Sequence, residues 1–246
     1  MKTAAKCKWG SRVLAALATL ILAALPAAAE TYVETPMLTK AVAVGELPTI
    51  DERLPEVPFV VKLDGDKTAG RHGGELQMLI GRARDLRLLV VYGYARLVGY
   101  DENYNIVPDI LESVDVDGGR VFTFKLRKGH KWSDGSPFTA EDFRYFWEDM
   151  ANHKKMAPSG PPRALRVEGQ PPGFEVIDRW TVRYTWHKPN PFFLPALASA
   201  TPLFMYRPSQ YLKKFHLKHQ DKKKLIKLVR AERLRGWVPL HFRRDR

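Results

Sequence analysis

The 246-residue chain has a single cysteine, Cys7, so no pair is available from which a disulfide framework could form. It also lacks an apolar run of the roughly 20 residues that a membrane-spanning helix needs. Acidic residues are scarce at both ends: residues 1–29 carry four positive charges and no negative ones, and residues 207–246 carry fourteen positive and three negative ones. Because the formal net charge is +13, the part between these ends is nearly neutral. A high overall charge confined to the termini does not by itself predict nucleic-acid binding, and none is expected.

The first 29 residues have the three regions of a secretory signal peptide. Met1–Arg12 is short and basic, Val13–Leu25 is apolar, and Ala27-Ala28-Ala29 supplies the small residues that a signal peptidase reads. The alternative, a short N-terminal membrane anchor, is disfavoured because thirteen apolar residues are too few to cross a bilayer. We therefore expect export to the periplasm with cleavage after Ala29. The remaining chain has no cysteine, which suits an oxidising compartment.

The mature chain begins with segments whose structure is less clearly encoded. Residues 30–72 are rich in proline and glycine and predict an extended arm, with short strands as an option. Glu75–Gly81 is predicted to be a strand, and the apolar stretch Leu86–Tyr100 fits either a strand or a buried helix. We place a solute-binding lobe at residues 73–206 and a basic helical segment at residues 207–246.

Local signals are strongest in the centre of the chain. Phe122, Phe124 and Leu126 alternate with polar residues after a turn at Asp117-Gly118-Gly119, which predicts a β-hairpin with one buried face. A second alternating strand ends at Trp186 after a turn at Asp178-Arg179. Helices are predicted for Ala140–Asn152 behind a Thr139 cap, within Pro191–Ser199, and from Pro208 to about Arg235. The pattern predicts a mixed α/β fold.

No group of residues forms a recognisable catalytic or metal-binding pattern. Glu141 and Asp142 stand at a helix start, where capping explains them. Ser133 and Ser136 lack the elbow motif of a serine hydrolase. His216 and His219 are interpreted as surface histidines on a basic helix, because no carboxylate accompanies them at ligand spacing. The sequence therefore favours a binding protein over an enzyme, without metal or cofactor. A secreted hydrolase, and an exported basic protein that binds anionic surfaces through residues 207–246, stay open as alternatives.

Three motifs occur in a fixed order between Tyr100 and Phe143. They are Pro108-Asp109-Ile110-Leu111-Glu112-Ser113, the hairpin end Phe124-Lys125-Leu126-Arg127-Lys128-Gly129, and Trp132-Ser133-Asp134-Gly135-Ser136-Pro137-Phe138-Thr139-Ala140-Glu141-Asp142. In this order they closely resemble the family 5 extracellular solute-binding proteins, the oligopeptide- and dipeptide-binding components of ABC importers. The likeness covers roughly residues 73–197, the N-terminal portion of such proteins.

The resemblance implies a fold, partners and a mode of action. Family members have two α/β lobes joined by a hinge and a smaller inserted domain, to which the hairpin and the Thr139 helix belong. Members are considerably longer, so we expect the C-terminal lobe to be missing and this chain to be a truncated or fragmentary version. The implied ligand is a peptide or similar small solute, and the implied partner is a membrane ABC permease complex.

Two sets of residues are assigned from these considerations. Tyr92, Tyr94 and Arg96 match a stretch near the family's cleft; tyrosine suits clefts, and arginine can hold a ligand carboxylate through paired hydrogen bonds. The alternative, core tyrosines around a tight Gly93, is open. The second set is structural: we expect Trp132 to be buried with its indole N–H bonded to a loop carbonyl, beside a turn through Ser133, Asp134 and Gly135 and the Thr139 cap.

Overall fold

The structure is a computed structural model, and it describes residues 32–83, 85–86, 96–200 and 203–245. The predicted leader and residues 87–95 therefore lie outside the described residues. The described residues from Glu34 onward belong to one compact unit. Within the described ranges, no helix combines the length and the apolar character needed to cross a bilayer.

An antiparallel sheet forms the centre of the larger unit. Its strands are β3 (Leu111–Asp117), β4 (Val121–Leu126), β5 (Gly173–Asp178) and β6 (Thr181–Thr185), in the order β3-β4-β6-β5. The predicted hairpin is confirmed as β3–β4, and the predicted second alternating strand is present as β6, which pairs with β5. Strand β4 pairs with β6 so that Phe124 lies opposite Val182. A separate pair joins β1 (Val98–Tyr100) to β2 (Ile106–Pro108).

The alternating residues of the two central strands build the core. Phe122, Phe124 and Leu126 of β4 are buried together with Val182 and Tyr184 of β6. Phe193 packs on them, with its ring 5.6 Å from that of Phe124 and 4.5 Å from that of Trp186. Burial of the alternate side chains on one face explains why the pattern predicted these strands.

Two of the helices, Ala140–Arg144 and Phe193–Ala198, pack against the strands, and the C-terminal helices form smaller apolar clusters of their own. In chain order the helices are α1 (Thr39–Ala43), α2 (Ile50–Arg53), α3 (Ala140–Arg144), α4 (Phe193–Ala198), α5 (Ser209–Leu212), α6 (Lys222–Ala231) and α7 (Trp237–Arg244). Helix α3 continues as a π-helical turn over Tyr145–Ala151, so the predicted helix to Asn152 is present with a wider final turn. Short 3₁₀ turns lie at Pro36–Leu38, Arg163–Leu165 and Lys213–Phe215.

Three expectations about secondary structure are wrong. Residues 75–80 form no strand: Leu76 is 72% and Leu79 104% exposed, and no described segment pairs with them. A strand needs a partner for its backbone groups, whatever its apolar content. The arm contains the short helices α1 and α2 in place of strands. The predicted last helix is interrupted between Phe215 and Lys222.

Candidate functional site

Arg96 is the described member of the predicted ligand-binding set, and its contacts are made within the chain. Its backbone N–H donates to Oδ2 of Asp109 at 3.0 Å, and its Nη1 donates to the carbonyl oxygen of Ala198 at 2.7 Å. These bonds join Arg96, two residues before β1, to Asp109 after β2 and to the end of α4. Its Nε is buried and has no hydrogen-bond partner among the described residues. Tyr92 and Tyr94 lie outside the described residues.

Ionisable residues around Asp109 are held neutral by burial. Burial, aided by the positive charge of Arg127, lowers the pKa of His130, whose Nε2 is buried without a partner. Burial also raises the pKa of Tyr206 to about 12, and the negative charge of Asp109 adds to this rise.

The Trp-Ser-Asp-Gly loop is held by bonds within the loop and to α3. The N–H of Gly135 donates to the carbonyl of Trp132 at 2.9 Å, and Gly135 has φ 81°, a left-handed conformation that glycine adopts without strain. Ser136 Oγ donates to Asp134 at 2.6 Å. Trp132 is partly buried, and its indole N–H donates to Asp142 Oδ2 at 3.1 Å. The expected loop-carbonyl acceptor is therefore wrong, because the carboxylate of α3 lies within reach.

Asp142 is the centre of a buried polar junction. It is 2% exposed and accepts N–H groups from three places. Besides Trp132, it accepts the backbone N–H of Thr139 at 2.9 Å, which is the return bond of a capping box, and the backbone N–H of Ser209 at 2.9 Å. One carboxylate thus fixes the loop, the start of α3 and the start of α5. Glu141 points elsewhere, to Arg144 and Lys213.

Four histidines gather between α3 and the C-terminal helices, which the sequence analysis did not predict. His216 and His241 are fully buried, so the surface interpretation of His216 is wrong. The ring of His216 lies 5.3 Å from that of His153, 5.5 Å from His219 and 5.8 Å from His241. Spacing could not predict the burial of His216, because its partner is distant in sequence: His216 Nε2 lies 3.0 Å from the carbonyl oxygen of Asp149. His219 is exposed as expected, and its Nε2 lies 2.8 Å from Oδ2 of the same residue.

Hydrogen bonds hold most of the histidine side chains of this cluster in place. Asp149 is nearly inaccessible, and bonds from Lys218 and His219 hold the pKa of its carboxyl below the usual range although burial alone would raise it. His241 Nε2 lies 2.6 Å from the hydroxyl of Tyr145, and its Nδ1 is buried without a partner. In the described part of the chain, no group of three or more His, Cys, Asp or Glu side chains is arranged to hold a metal ion.

An apolar groove of about 290 Å³ lies beside the β3–β4 turn. It includes Asn190, which is 4% exposed and whose Nδ2 has no hydrogen-bond partner. The other lining residues are apolar or glycine: Ile106, Val116, Gly119, Phe122, Pro189, Pro191, Leu194 and Pro195. Such a lining accepts apolar groups and one hydrogen-bond acceptor.

The sheet and the helices that pack on it indicate the class of protein. The chain forms a portion of a periplasmic-binding-protein-like α/β fold. The chain belongs to the bacterial extracellular solute-binding proteins, family 5, whose model matches residues 105–228, just over half of its length. This confirms the resemblance carried by the three central motifs.

Relatives named as periplasmic binding proteins match parts of this chain. The periplasmic oligopeptide-binding protein OppA of Escherichia coli is 32% identical over 147 residues, which are 53% of this chain and 26% of OppA. A periplasmic alpha-galactoside-binding protein of Rhizobium meliloti is 29% identical over 203 residues, or 73% of this chain and 29% of that protein. The chain thus spans less than a third of the length of these relatives.

A solved structure extends the likeness over most of the chain. The structure of an oligopeptide-binding protein OppA superposes with a TM-score of 0.67 at 32% identity, covering 86% of this chain and 32% of OppA. A stachyose complex of the periplasmic binding protein MelB has a TM-score of 0.53 at 24% identity and shows the shared fold alone.

Proposed function

We propose that this chain belongs to the solute-binding component of an ABC importer and that its solute is a peptide or a similar small molecule. The observation that carries the proposal is the match to the OppA structure over 86% of the chain. Binding would be non-covalent, with lobes closing over a ligand in a cleft. The partner would be a membrane permease complex, the location the periplasm, and no cofactor is required.

A hydrolase is the less supported alternative. In the described residues, Ser136 is bonded to Asp134 and no histidine joins the pair. The histidines of the cluster contact Asp149 and Tyr145, with no serine hydroxyl bonded to them. Nucleophilic catalysis needs a nucleophile and a base within hydrogen-bond reach, so this arrangement favours binding without chemistry.

We propose that Tyr92, Tyr94 and Arg96 contribute to the solute site. The unpartnered Nε of Arg96 supports this role, because a ligand carboxylate could accept from it. The bond from Arg96 Nη1 to Ala198 supports the competing structural role. A ligand test at Arg96 must therefore separate lost binding from lost folding.

Affinity for the solute should be weak in this chain by itself. The match covers 32% of the OppA structure, so this chain supplies only part of the surface that encloses a ligand in such proteins. Loss of about 4 kcal/mol of contact free energy turns a micromolar binder into a roughly millimolar one. The measurement must therefore detect millimolar binding.

The test is NMR titration of ¹⁵N-labelled residues 30–246. Trialanine at up to about 10 mM should shift the amide signals of Arg96 and its neighbours, and the galactoside raffinose should not. Arg96→Gln should abolish the shifts while the remaining spectrum stays dispersed, which shows that the fold persists. Equal shifts with raffinose would contradict peptide specificity, and no shift with either ligand would contradict a solute site in this chain.

A further inference from the structure

A group of cations on α6 and the turn after it forms no ion pair with any other described residue. Lys222–Lys224, Lys227, Arg230, Arg233 and Arg235 are exposed, and none of these side chains has an ion pair in the described part of the chain. We call this group the basic surface. Of the two acids nearby, Glu232 pairs with Arg243 and Arg244 of α7, and the Asp221 side chain accepts the backbone N–H of Lys224 at the start of α6. The side chains of the basic surface therefore stay without an ion pair in the described part of the chain.

Most described basic residues elsewhere in the C-terminal segment form ion pairs, whereas Lys214 lies over the ring of Tyr211. Lys213 lies 2.5 Å from Glu141, Lys218 2.5 Å from Asp149, and Arg207 2.9 Å from Asp245. These pairs attach the segment to α3 and to its own end. The cations of the C-terminal segment thus fall into two sets. One set attaches the segment to the rest of the protein through ion pairs, and the other, the basic surface, is exposed to solvent.

Helix α6 presents this charge on one face. Leu225 is buried, and Leu228 and Val229 are partly buried against the fold. Lys223, Lys227 and Arg230 follow at a spacing of four and three residues on the opposite face. Ile226 lies among them and is 39% exposed. A ten-residue helix with a row of cations around an exposed aliphatic side chain suits a flat, negatively charged layer with an apolar interior.

We propose that the basic surface binds an anionic phospholipid membrane. This role goes beyond solute binding and uses none of the residues assigned to the solute. Charge complementarity identifies the occupant, because basic residues near an anionic leaflet are attracted to it additively. Nucleic acid is less suited, since the exposed face of α6 has no aromatic side chain on which a base could stack. The predicted secretory leader also favours a lipid over a nucleic-acid partner.

The proposal is tested by sedimentation of residues 30–246, which contain the compact unit, with phospholipid vesicles. Vesicles with about 30% phosphatidylglycerol should bind the protein, and pure phosphatidylcholine vesicles should not. Each cation near an anionic surface contributes about fivefold, so Lys223→Gln/Lys227→Gln/Arg230→Gln should weaken binding roughly a hundredfold. Raising the salt from about 0.05 to about 0.3 M should also weaken it steeply.

A matched control removes the same charge elsewhere. Lys125, Arg183 and Lys188 each pair with a glutamate on or beside the sheet, and their triple change to Gln should leave vesicle binding nearly intact. Equal loss in both triple variants would overturn the proposal, because net charge alone would then explain the binding. Binding to neutral vesicles, or binding to duplex DNA with none to anionic vesicles, would overturn it as well. Circular dichroism of each variant confirms that the helices persist.

Discussion

The backbone N–H of Lys218 donates to Nδ1 of His216 at 3.1 Å, and this bond fixes the state of the imidazole. Nδ1 must be unprotonated to accept, so the ring's proton lies on Nε2, which donates to the carbonyl of Asp149 at 3.0 Å. A second proton on His216 would lie on Nδ1, where it would face the N–H of Lys218, and the hydrogen bond between them would be lost. The C-terminal segment is therefore attached to α3 through a histidine that must stay neutral.

We expect the protein to lose stability as the pH falls from about 6.5 to about 4. Burial lowers the pKa of both His216 and His241 to about 4 from an ordinary 6.5. Between these pH values the unfolded chain binds more protons than the folded protein. The free energy of unfolding therefore decreases as the pH is lowered, by about 2–4 kcal/mol in all. Burial raises the pKa of Asp245, which offsets a part of the loss.

Urea unfolding at several pH values measures this loss. His216→Asn should make the urea midpoint depend less on pH, because the residue that resists protonation in the folded protein is removed. The matched control is His72→Gln, an exposed position at which the dependence should stay as in the parent protein. A midpoint that is equal at pH 7 and pH 4 would contradict the assignment.

Asp142→Asn should destabilise the protein by about 2–4 kcal/mol. An amide has one acceptor oxygen, so it cannot serve Ser209 on one side and both Thr139 and Trp132 on the other, and buried donors would be left unsatisfied. The neighbouring Glu141→Gln is the control, and it should cost less than about 1 kcal/mol because its partners are partly solvent-exposed. Chemical denaturation of both variants distinguishes them; similar losses would refute the central role of Asp142.

Trp132→Ala should cost about 2–3 kcal/mol, less than the 3–5 kcal/mol of a fully buried aromatic, because the ring is only partly buried. The ring packs 5.5 Å from Phe138 and 6.1 Å from Tyr206. Trp132→Phe keeps part of this packing and loses the bond to Asp142, so it should cost about 1 kcal/mol. Thermal unfolding measures both. A loss below about 1 kcal/mol for the alanine variant would mean that the loop does not stabilise the fold.

Export should leave Glu30 at the N-terminus. The basic, apolar and small-residue regions of residues 1–29 motivate this prediction. Mass spectrometry of the intact protein from a periplasmic extract gives the answer, and a mass that includes Met1 would rule out cleavage. Ala29→Pro is the matched variant, expected to block processing at this position.

Residues 30–246 should self-associate at high concentration. Val57, Val61 and Leu79 belong to described segments without secondary structure, and they are 71%, 65% and 104% exposed. Apolar side chains exposed in this way favour association. Light scattering should show a mass that rises with concentration, and Val61→Lys/Leu79→Lys should reduce the rise. Tyr104→Lys, at another exposed position, is the control. A concentration-independent monomer would contradict the prediction.

The sequence by itself determined the features that depend on neighbours along the chain. Alternation in Val121–Leu126 defined β4 and its buried face, Thr139 and Asp142 marked the start of α3, and the order of three central motifs identified the family. These signals are local, because strand periodicity, turns and caps are set by residues a few positions apart.

Only the tertiary structure decided where distant residues meet. It left Glu75–Gly81 unpaired despite its apolar content, since pairing depends on a partner strand and not on the segment itself. It brought His216, His219 and His241 together around Tyr145, and it gave Asp142 a third bond from Ser209. Burial of a polar side chain and its pKa follow from such long-range contacts, so spacing in the sequence could not reveal them.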